Sequence, residues 1–191
     1  NPDDEPQEYY KTQSWKVLAQ TQLPFLPTPL DAIEKIFHFL ETKNFLKNVK
    51  RLVDLGAGDG RVIIFAAEKY GIHSIGVEVN VSMIESAQRI IEEKKLSSIC
   101  EMVEGDLYDF DVSRADLIFS YALPSNHRFF KGIIERIKEN AYFISVRHDL
   151  DQYKDYWKEK YEVNIENIEY FNTYIYKRGS GKNINSIANS E

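Results

Sequence analysis

The stretch VDLGAGDGR, Val53 to Arg61, places three glycines and two aspartates between a short apolar run and an amphipathic run. Residues Arg51 to Leu55 are largely apolar and include a β-branched residue, which is typical of a buried strand. After Arg61, apolar side chains recur at helical spacing. The pattern predicts a strand, a glycine turn and a helix. In such a unit the glycines allow a tight turn close to a ligand, and the helix N-terminus offers free N–H donors.

The spacing of the glycines indicates the kind of ligand. A dinucleotide-binding turn has the pattern G-x-G-x-x-G, in which the third glycine packs the helix against its strand. The glycines here are Gly56, Gly58 and Gly60. They follow the pattern D-x-G-x-G-x-G that opens at Asp54, and Arg61 occupies the place of that third glycine. A carboxylate suits an ammonium group better than a pyrophosphate, because like charges repel in a poorly screened site. A glycine turn of purely structural use is the alternative.

Two more carboxylates follow predicted strands. Residues 73–79 (HSIGVEV) predict a second buried strand that ends in Glu78. Glu78 comes 18 residues after the last glycine, close to the roughly 20 expected of an acidic residue that accepts hydrogen bonds from ribose hydroxyls. Ile99 to Val103 predicts a third strand. Ligands of parallel sheets lie beyond the carboxyl ends of strands, so Asp106 and Leu107 are placed to meet an adenine, with Asp106 accepting from its amine. A turn aspartate is the alternative.

The fourth predicted strand, Asp116 to Tyr121, leads into the stretch ALPSNHRFF. The substrate that reacts with the bound ligand is expected to lie at this strand end. Tyr121 is the candidate catalytic residue, as a wall of an amine channel, with rim packing as the alternative. Asn126 is interpreted as a helix cap in preference to a residue that orients the acceptor. His148 and Asp149 suggest acid–base chemistry, but no nucleophile accompanies them on a turn, and they are interpreted together with Arg147 as a polar loop.

Further patterns predict the scaffold. Thr28 is predicted to cap a helix that runs toward Thr42, and Ser82 to Glu85 is predicted to form a capping box. The apolar faces of these two helices are predicted to contain Leu30, Ile33, Ile36, Phe37 and Leu40 in the first, and Met83, Ile84, Ala87, Ile90 and Ile91 in the second.

The C-terminal part is predicted to begin with a fifth strand, Tyr142 to Val146, and a helix from Asp151 to Lys160 that contains Trp157. Residues 161–168 and 171–177 alternate in polarity and predict a terminal antiparallel pair of strands.

Composition limits the class of protein. The chain has 191 residues with 43% hydrophobic content, which favours one α/β domain. We expect an N-terminal extension over residues 1–22, a domain over 23–178 and a disordered tail over 179–191. The net charge of −6 makes nucleic acid an unlikely partner. One cysteine and scattered histidines predict a cytoplasmic location and no metal. No run is long enough to span a membrane; because the sequence begins at Asn1, a preceding tag, signal or anchor stays open.

The segments LPFLPTP, DLGAGDGR, GVEVN and NTYIYKR together resemble the small archaeal protein-lysine methyltransferases and their eukaryotic mitochondrial relatives. These belong to the seven-stranded S-adenosylmethionine-dependent methyltransferases. The resemblance implies an α/β, Rossmann-like three-layer sandwich whose sheet is mostly parallel with an antiparallel last strand. It also implies S-adenosylmethionine as cofactor, with Pro27 and Thr28 folded over it. The predicted cofactor contacts are Asp54, Gly56, Ala57, Gly58, Gly60, Glu78, Val79, Asp106, Leu107, Pro27 and Thr28.

The principal hypothesis is methyl transfer to a lysine side chain of a protein substrate. The alternatives are a methyltransferase that acts on a small molecule or RNA, and an inactive subunit that binds the cofactor. The oligomeric state stays open.

Overall fold

A computed structural model describes residues 27–121, 130–165 and 172–180. The predicted extension over residues 1–22, Asn126 and residues 181–191 of the predicted tail lie outside these ranges. Within them, no helix is both long and apolar enough to cross a membrane.

Seven strands form one sheet in the order β3-β2-β1-β4-β5-β7-β6. The strand β7 is antiparallel to β5 and β6, whereas β1 to β5 pair in parallel with one another. The predicted sheet, mostly parallel with an antiparallel last strand, is confirmed. The strands are β1 Arg51–Leu55, β2 His73–Glu78, β3 Cys100–Glu104, β4 Leu117–Ser120, β5 Tyr142–Val146, β6 Trp157–Asn164 and β7 Asn172–Arg178.

Helices cover both faces of the sheet and complete a three-layer sandwich. Successive strand residues point to opposite faces, so Leu52 lies in one core and Val53 in the other. The first core packs α1, α2 and α3 on the sheet, and the second packs α4 and the second 3₁₀ helix. Each buried large apolar side chain contributes about 1.5–3 kcal/mol to stability. The helices are α1 Leu30–Thr42, α2 Arg61–Tyr70, α3 Val81–Glu93 and α4 Phe130–Arg136, with 3₁₀ helices at Phe45–Asn48 and Asp151–Tyr156.

The start of α1 differs from the prediction. Pro29 is the N-cap and no side chain caps the helix, so the cap predicted at Thr28 is wrong. Proline fits a helix start because its missing N–H needs no partner there. The carbonyl of Thr28 instead accepts a hydrogen bond from Arg61. Leu30, predicted in the apolar face, is 56% exposed.

The start of α3 also differs. Asn80 is the N-cap, and its Oδ1 accepts from the backbone N–H groups of Ser82 and Met83. The predicted capping box at Ser82 is therefore wrong by two residues; an Asn side chain is an equally good acceptor, and it comes first along the chain. Of the predicted apolar stripe, Ala87 is fully buried but Ile90 is 40% exposed.

The predicted helix from Asp151 to Lys160 is wrong. Its first part is the 3₁₀ helix Asp151–Tyr156, and Trp157 begins β6. The indole packs on the ring of Tyr176 in β7, with centroids 5.0 Å apart, and on Phe143 in β5 at 6.0 Å. These contacts from the sheet outweigh the local helical pattern.

Candidate active site

The central strand β1 brings Asp54 close to the carboxyl edge of the sheet. Asp54 pairs in register with Gly76 of β2 on one side and Phe119 of β4 on the other. Adjacent strands lie about 4.8 Å apart. The residues that end β2 and β4 therefore flank the turn that follows β1, and they flank it from opposite sides.

The turn after β1 has a backbone that requires glycine. Gly56, Gly58 and Gly60 have φ values of 82°, 56° and 73°, in the left-handed region. The backbone N–H groups of Gly56 and Ala57 both donate to the carbonyl of Val77, at 2.9 and 3.0 Å. The turn is thereby fixed to β2 before any ligand binds.

Glu78 holds the same turn from the end of β2. Its Oε2 accepts from the backbone N–H of Gly58 at 2.9 Å, and its Oε1 accepts from Val79 at 2.9 Å and Asn80 at 3.0 Å. A carboxylate offers about four acceptor positions, so three backbone donors leave capacity for a ribose hydroxyl. The sequence indicated the ribose contact but not this bracing of the turn.

The electrostatics of Asp54 favour a cationic ligand. The residue is 4% exposed, and its carboxylate accepts no hydrogen bond within the described ranges. Burial raises its pKa to about 8, with further increases from the negative charges of Glu78 and Asp59. A buried carboxyl group beside two carboxylates is stabilised by a bound cation. The site therefore fits the ammonium group of S-adenosylmethionine.

Arg61 connects the residues just before α1 to the glycine turn. Its Nε and Nη2 donate to the carboxylate of Asp59, at 2.9 and 2.6 Å, and its Nη1 donates to the carbonyl of Thr28 at 3.2 Å. Burial alone would raise the pKa of Asp59, but the bonds from Arg61 bring it below its usual value. Thr28 is buried beside the turn and Pro27 is exposed. The sequence singled out Arg61 only for the glycine it replaces.

In the loop after β3, Asp106 builds a turn, and the neighbouring Leu107 lies next to the glycine turn. The Oδ1 of Asp106 accepts from the backbone N–H of Tyr108 at 2.8 Å, so this residue does build a turn. Leu107 reaches the glycine turn, since its Cδ2 would lie 3.6 Å from a Cβ placed on Gly56. The loop is thus adjacent to the glycine turn, and its contact with the cofactor stays a prediction.

Gly76 is a site residue that the sequence interpretation did not single out. A Cβ at this position would lie 2.7 Å from Ala57 Cβ and 2.7 Å from Met102 Sδ. The glycine allows the turn after β1 to pack directly on β2. A glycine inside a predicted strand was the available signal, because it often marks close backbone approach.

Tyr121 lies at the same edge, next to the glycine turn. Leu55 pairs with Ser120, so Gly56 and Tyr121 come one residue beyond the paired row. The Tyr121 hydroxyl accepts a hydrogen bond from Arg147 Nη1 at 2.9 Å, and its ring meets that of His148 edge-on, with centroids 6.4 Å apart. Arg147 and His148 were predicted only as a polar loop.

Asp149, the residue after His148 in this polar loop, has a different role. Asp149 accepts from Tyr176 Oη at 2.8 Å and from Lys160 Nζ at 2.5 Å. These bonds tie the loop to β6 and β7, and they commit the carboxylate to structure. These bonds agree with the interpretation of the segment as a polar loop.

The structure thus brings the glycine turn and the predicted residues that end or follow β2, β3 and β4 to one edge of the sheet, and Arg61 holds Thr28 next to the turn. Individual cofactor contacts stay predictions.

Comparison with known proteins agrees with this geometry. The family described as the ANTKMT methyltransferase domain matches residues 54–157. The chain belongs to this family. The match begins at Asp54 and extends through the ends of β2, β3, β4 and β5. The chain is a methyltransferase, and S-adenosylmethionine is its methyl donor.

Relatives of this ANTKMT-family chain include curated enzymes. A protein-lysine N-methyltransferase of Saccharolobus islandicus (strain REY15A) is 25% identical over 163 residues, which are 84% of this chain and 96% of that protein. A lysine N-methyltransferase of Homo sapiens, named for a component of ATP synthase, is 25% identical over 131 residues, 68% of this chain. The match spans 54% of the human protein.

A solved structure has the same fold. An RNA methyltransferase from Salinibacter ruber in complex with S-adenosyl-L-homocysteine superposes with a TM-score of 0.69 and is 25% identical. The match covers 82% of this ANTKMT-family chain and 95% of that structure.

Proposed function

We propose that this methyltransferase transfers the methyl group to the ε-amine of lysine in a protein substrate. The observation that carries the proposal is the relative named a protein-lysine N-methyltransferase, which the match covers almost end to end. The human relative, also named for a lysine acceptor, supports it. Tyr121 beside the glycine turn supplies an aromatic wall suited to an alkylammonium or amine side chain.

The residues of the chain contribute binding and alignment. When bound, S-adenosylmethionine supplies a methyl group activated by its attachment to a sulfonium. Asp54 would pair with the ammonium group of the donor, and the N–H groups at the start of α2 and Glu78 would hold the rest of it. The lone pair of the neutral lysine nitrogen forms the new C–N bond while the C–S bond breaks, and the electron pair of the C–S bond goes to sulfur. The methylated nitrogen then releases a proton to water. Holding amine, carbon and sulfur in line is the principal catalytic contribution.

An RNA acceptor is the second candidate, because the Salinibacter ruber structure is named an RNA methyltransferase and is matched over most of its length. The net charge of −6 opposes this function, since binding of RNA is dominated by positive charge opposite phosphates.

Labelled S-adenosylmethionine separates the two functions. The chain is incubated with a protein extract, with total RNA and with purified ATP synthase, each with methyl-labelled donor. The Asp54→Asn variant is the control. We expect label on lysine in protein, located by mass spectrometry of tryptic peptides, and a large loss of label in the variant. Label confined to RNA or to small molecules would contradict the proposal.

A further inference from the structure

Arg147 has an unusual backbone for a residue with a side chain. It directly follows β5 and has φ of 67°, in the left-handed region. Its N–H donates to the carbonyl of Asn172 at 2.7 Å, which fixes this conformation against β7. Left-handed backbone at residues other than glycine is costly and concentrates at functional sites. The cost of this backbone conformation indicates a role for the side chain of Arg147.

The guanidinium of Arg147 reaches the candidate acceptor site. Its Nη1 donates to Tyr121 Oη at 2.9 Å, across the ends of β4 and β5. Tyr121 in turn lies beside the glycine turn, because Ser120 pairs with Leu55. A fixed positive charge is therefore held on the residue that is predicted to wall the path of the amine.

The ionisable groups around Tyr121 come from the loop after β5. Arg147 contacts the hydroxyl, and His148 meets the ring edge-on. Asp149, the next residue, is engaged by Lys160 and by Tyr176 Oη. The guanidinium of Arg147 is thus a charged group in direct contact with Tyr121, while the buried Asp54 lies on the neighbouring strand β1.

We propose that Arg147 is a positioning residue for methyl transfer: it fixes the Tyr121 side chain at the acceptor site, and its charge favours the neutral form of the incoming lysine amine. This inference rests on the proposed lysine acceptor. Only the neutral amine has the lone pair that attacks the methyl group, and a nearby cation disfavours its protonation. Since Arg147 is solvent-exposed, a shift of roughly half to one pH unit is expected at high effective dielectric constant.

Two variants test the proposal without relying on an unstable protein. Arg147→Gly removes the charge and relieves the positive φ, so its melting temperature is expected to equal or exceed that of the wild type. Arg147→Lys keeps a positive charge. Initial rates of methyl label entering protein lysines of a cell extract are measured from pH 7 to 10 at saturating donor.

We expect the profile of Arg147→Gly to move to higher pH, so that it is about three- to ten-fold slower than wild type at pH 8 and approaches the wild-type rate near pH 10. Arg147→Lys should remain close to the wild-type profile. High salt should reduce the difference in rate between Arg147→Gly and wild type, since it screens the exposed charge of Arg147.

Coinciding pH profiles for wild type and Arg147→Gly would overturn the role of Arg147, and so would a loss that stays constant up to pH 10. An Arg147→Lys profile that follows Arg147→Gly would also overturn it, because charge would then not be the cause. A wild type that labels no protein lysine at any pH contradicts the proposed acceptor itself, which is a different result from a lysine-active wild type with an unaffected variant.

Discussion

Glu78 Oε2 accepts a hydrogen bond from the backbone N–H of Gly58 at 2.9 Å, so the end of β2 fixes the turn that follows β1. The same carboxylate raises the pKa of Asp54, after the larger effect of burial. Glu78 therefore braces the turn and also contributes to the raised pKa of Asp54, the residue that is predicted to meet the ammonium group of the donor.

Glu78→Gln should weaken both functions of this residue. One oxygen becomes an N–H₂ group that faces backbone donors, which costs about 1–3 kcal/mol of unfolding free energy. We expect a lower melting temperature and weaker binding of S-adenosylhomocysteine by calorimetry. The matched control is Glu104→Gln, whose position pairs with Glu78 on β3 but is exposed. An unchanged affinity in Glu78→Gln would contradict its predicted contact with the ribose.

Donor binding should release a proton from Asp54 at pH 7. With its pKa at about 8, the free carboxyl group is mostly protonated, and a bound ammonium group favours the ionised form. Calorimetric titration with S-adenosylhomocysteine in phosphate and in Tris buffer measures this release as a difference in apparent enthalpy. The difference should disappear in Asp54→Asn. Equal enthalpies in both buffers for the wild type would contradict the release of a proton from Asp54.

The raised pKa of Asp54 also predicts how the stability of the ligand-free protein depends on pH. The pKa of Asp54 is about 8 in the folded chain, against an ordinary value of 3.8 for an exposed aspartate, so the folded state binds an extra proton between these values. Its contribution to unfolding free energy therefore decreases as pH rises from about 4 to about 8. Chemical unfolding at pH 6 and pH 8 measures the slope, and Asp54→Asn, which cannot ionise, should have a smaller decrease.

Removal of the Arg61 side chain should release the segment before α1. Arg61→Ala loses the bonds to Asp59 and to the Thr28 carbonyl, which together are worth about 1–3 kcal/mol. We expect donor affinity to fall about ten-fold, as a change of about 1.4 kcal/mol implies. Lys94→Ala, which breaks an exposed ion pair with Glu68, is the control and should bind donor normally.

Gly76→Ala should disturb the turn by overpacking. The added methyl group would lie 2.7 Å from Ala57 Cβ, and relief of this clash must move the turn or β2, at a cost of about 1–3 kcal/mol. Gly132→Ala is the comparison: its Cβ meets Arg136 at 3.6 Å within α4, where alanine favours the helix. We expect the first variant to melt at a lower temperature and the second at an equal or higher one.

Several elements could be predicted because their signals are local. The bounds predicted for β1 and β5, Arg51–Leu55 and Tyr142–Val146, are those of the structure. Short runs of buried apolar residues suffice to mark such strands. The turn after β1 was equally accessible, since its positive φ values require glycine at Gly56, Gly58 and Gly60.

The chain sequence by itself thus determined the strands β1 and β5, the glycine turn and the acidic residues at or just after the ends of the first three strands, all of which depend on neighbours along the chain. Only the tertiary structure decided that Trp157 begins a strand, that Arg61 holds Thr28 and that Arg147 contacts Tyr121. These contacts join residues far apart in sequence, and they depend on the order in which the sheet places its strands. Periodicity carries no information on that order, because it reports which side of an element is buried and not what covers it.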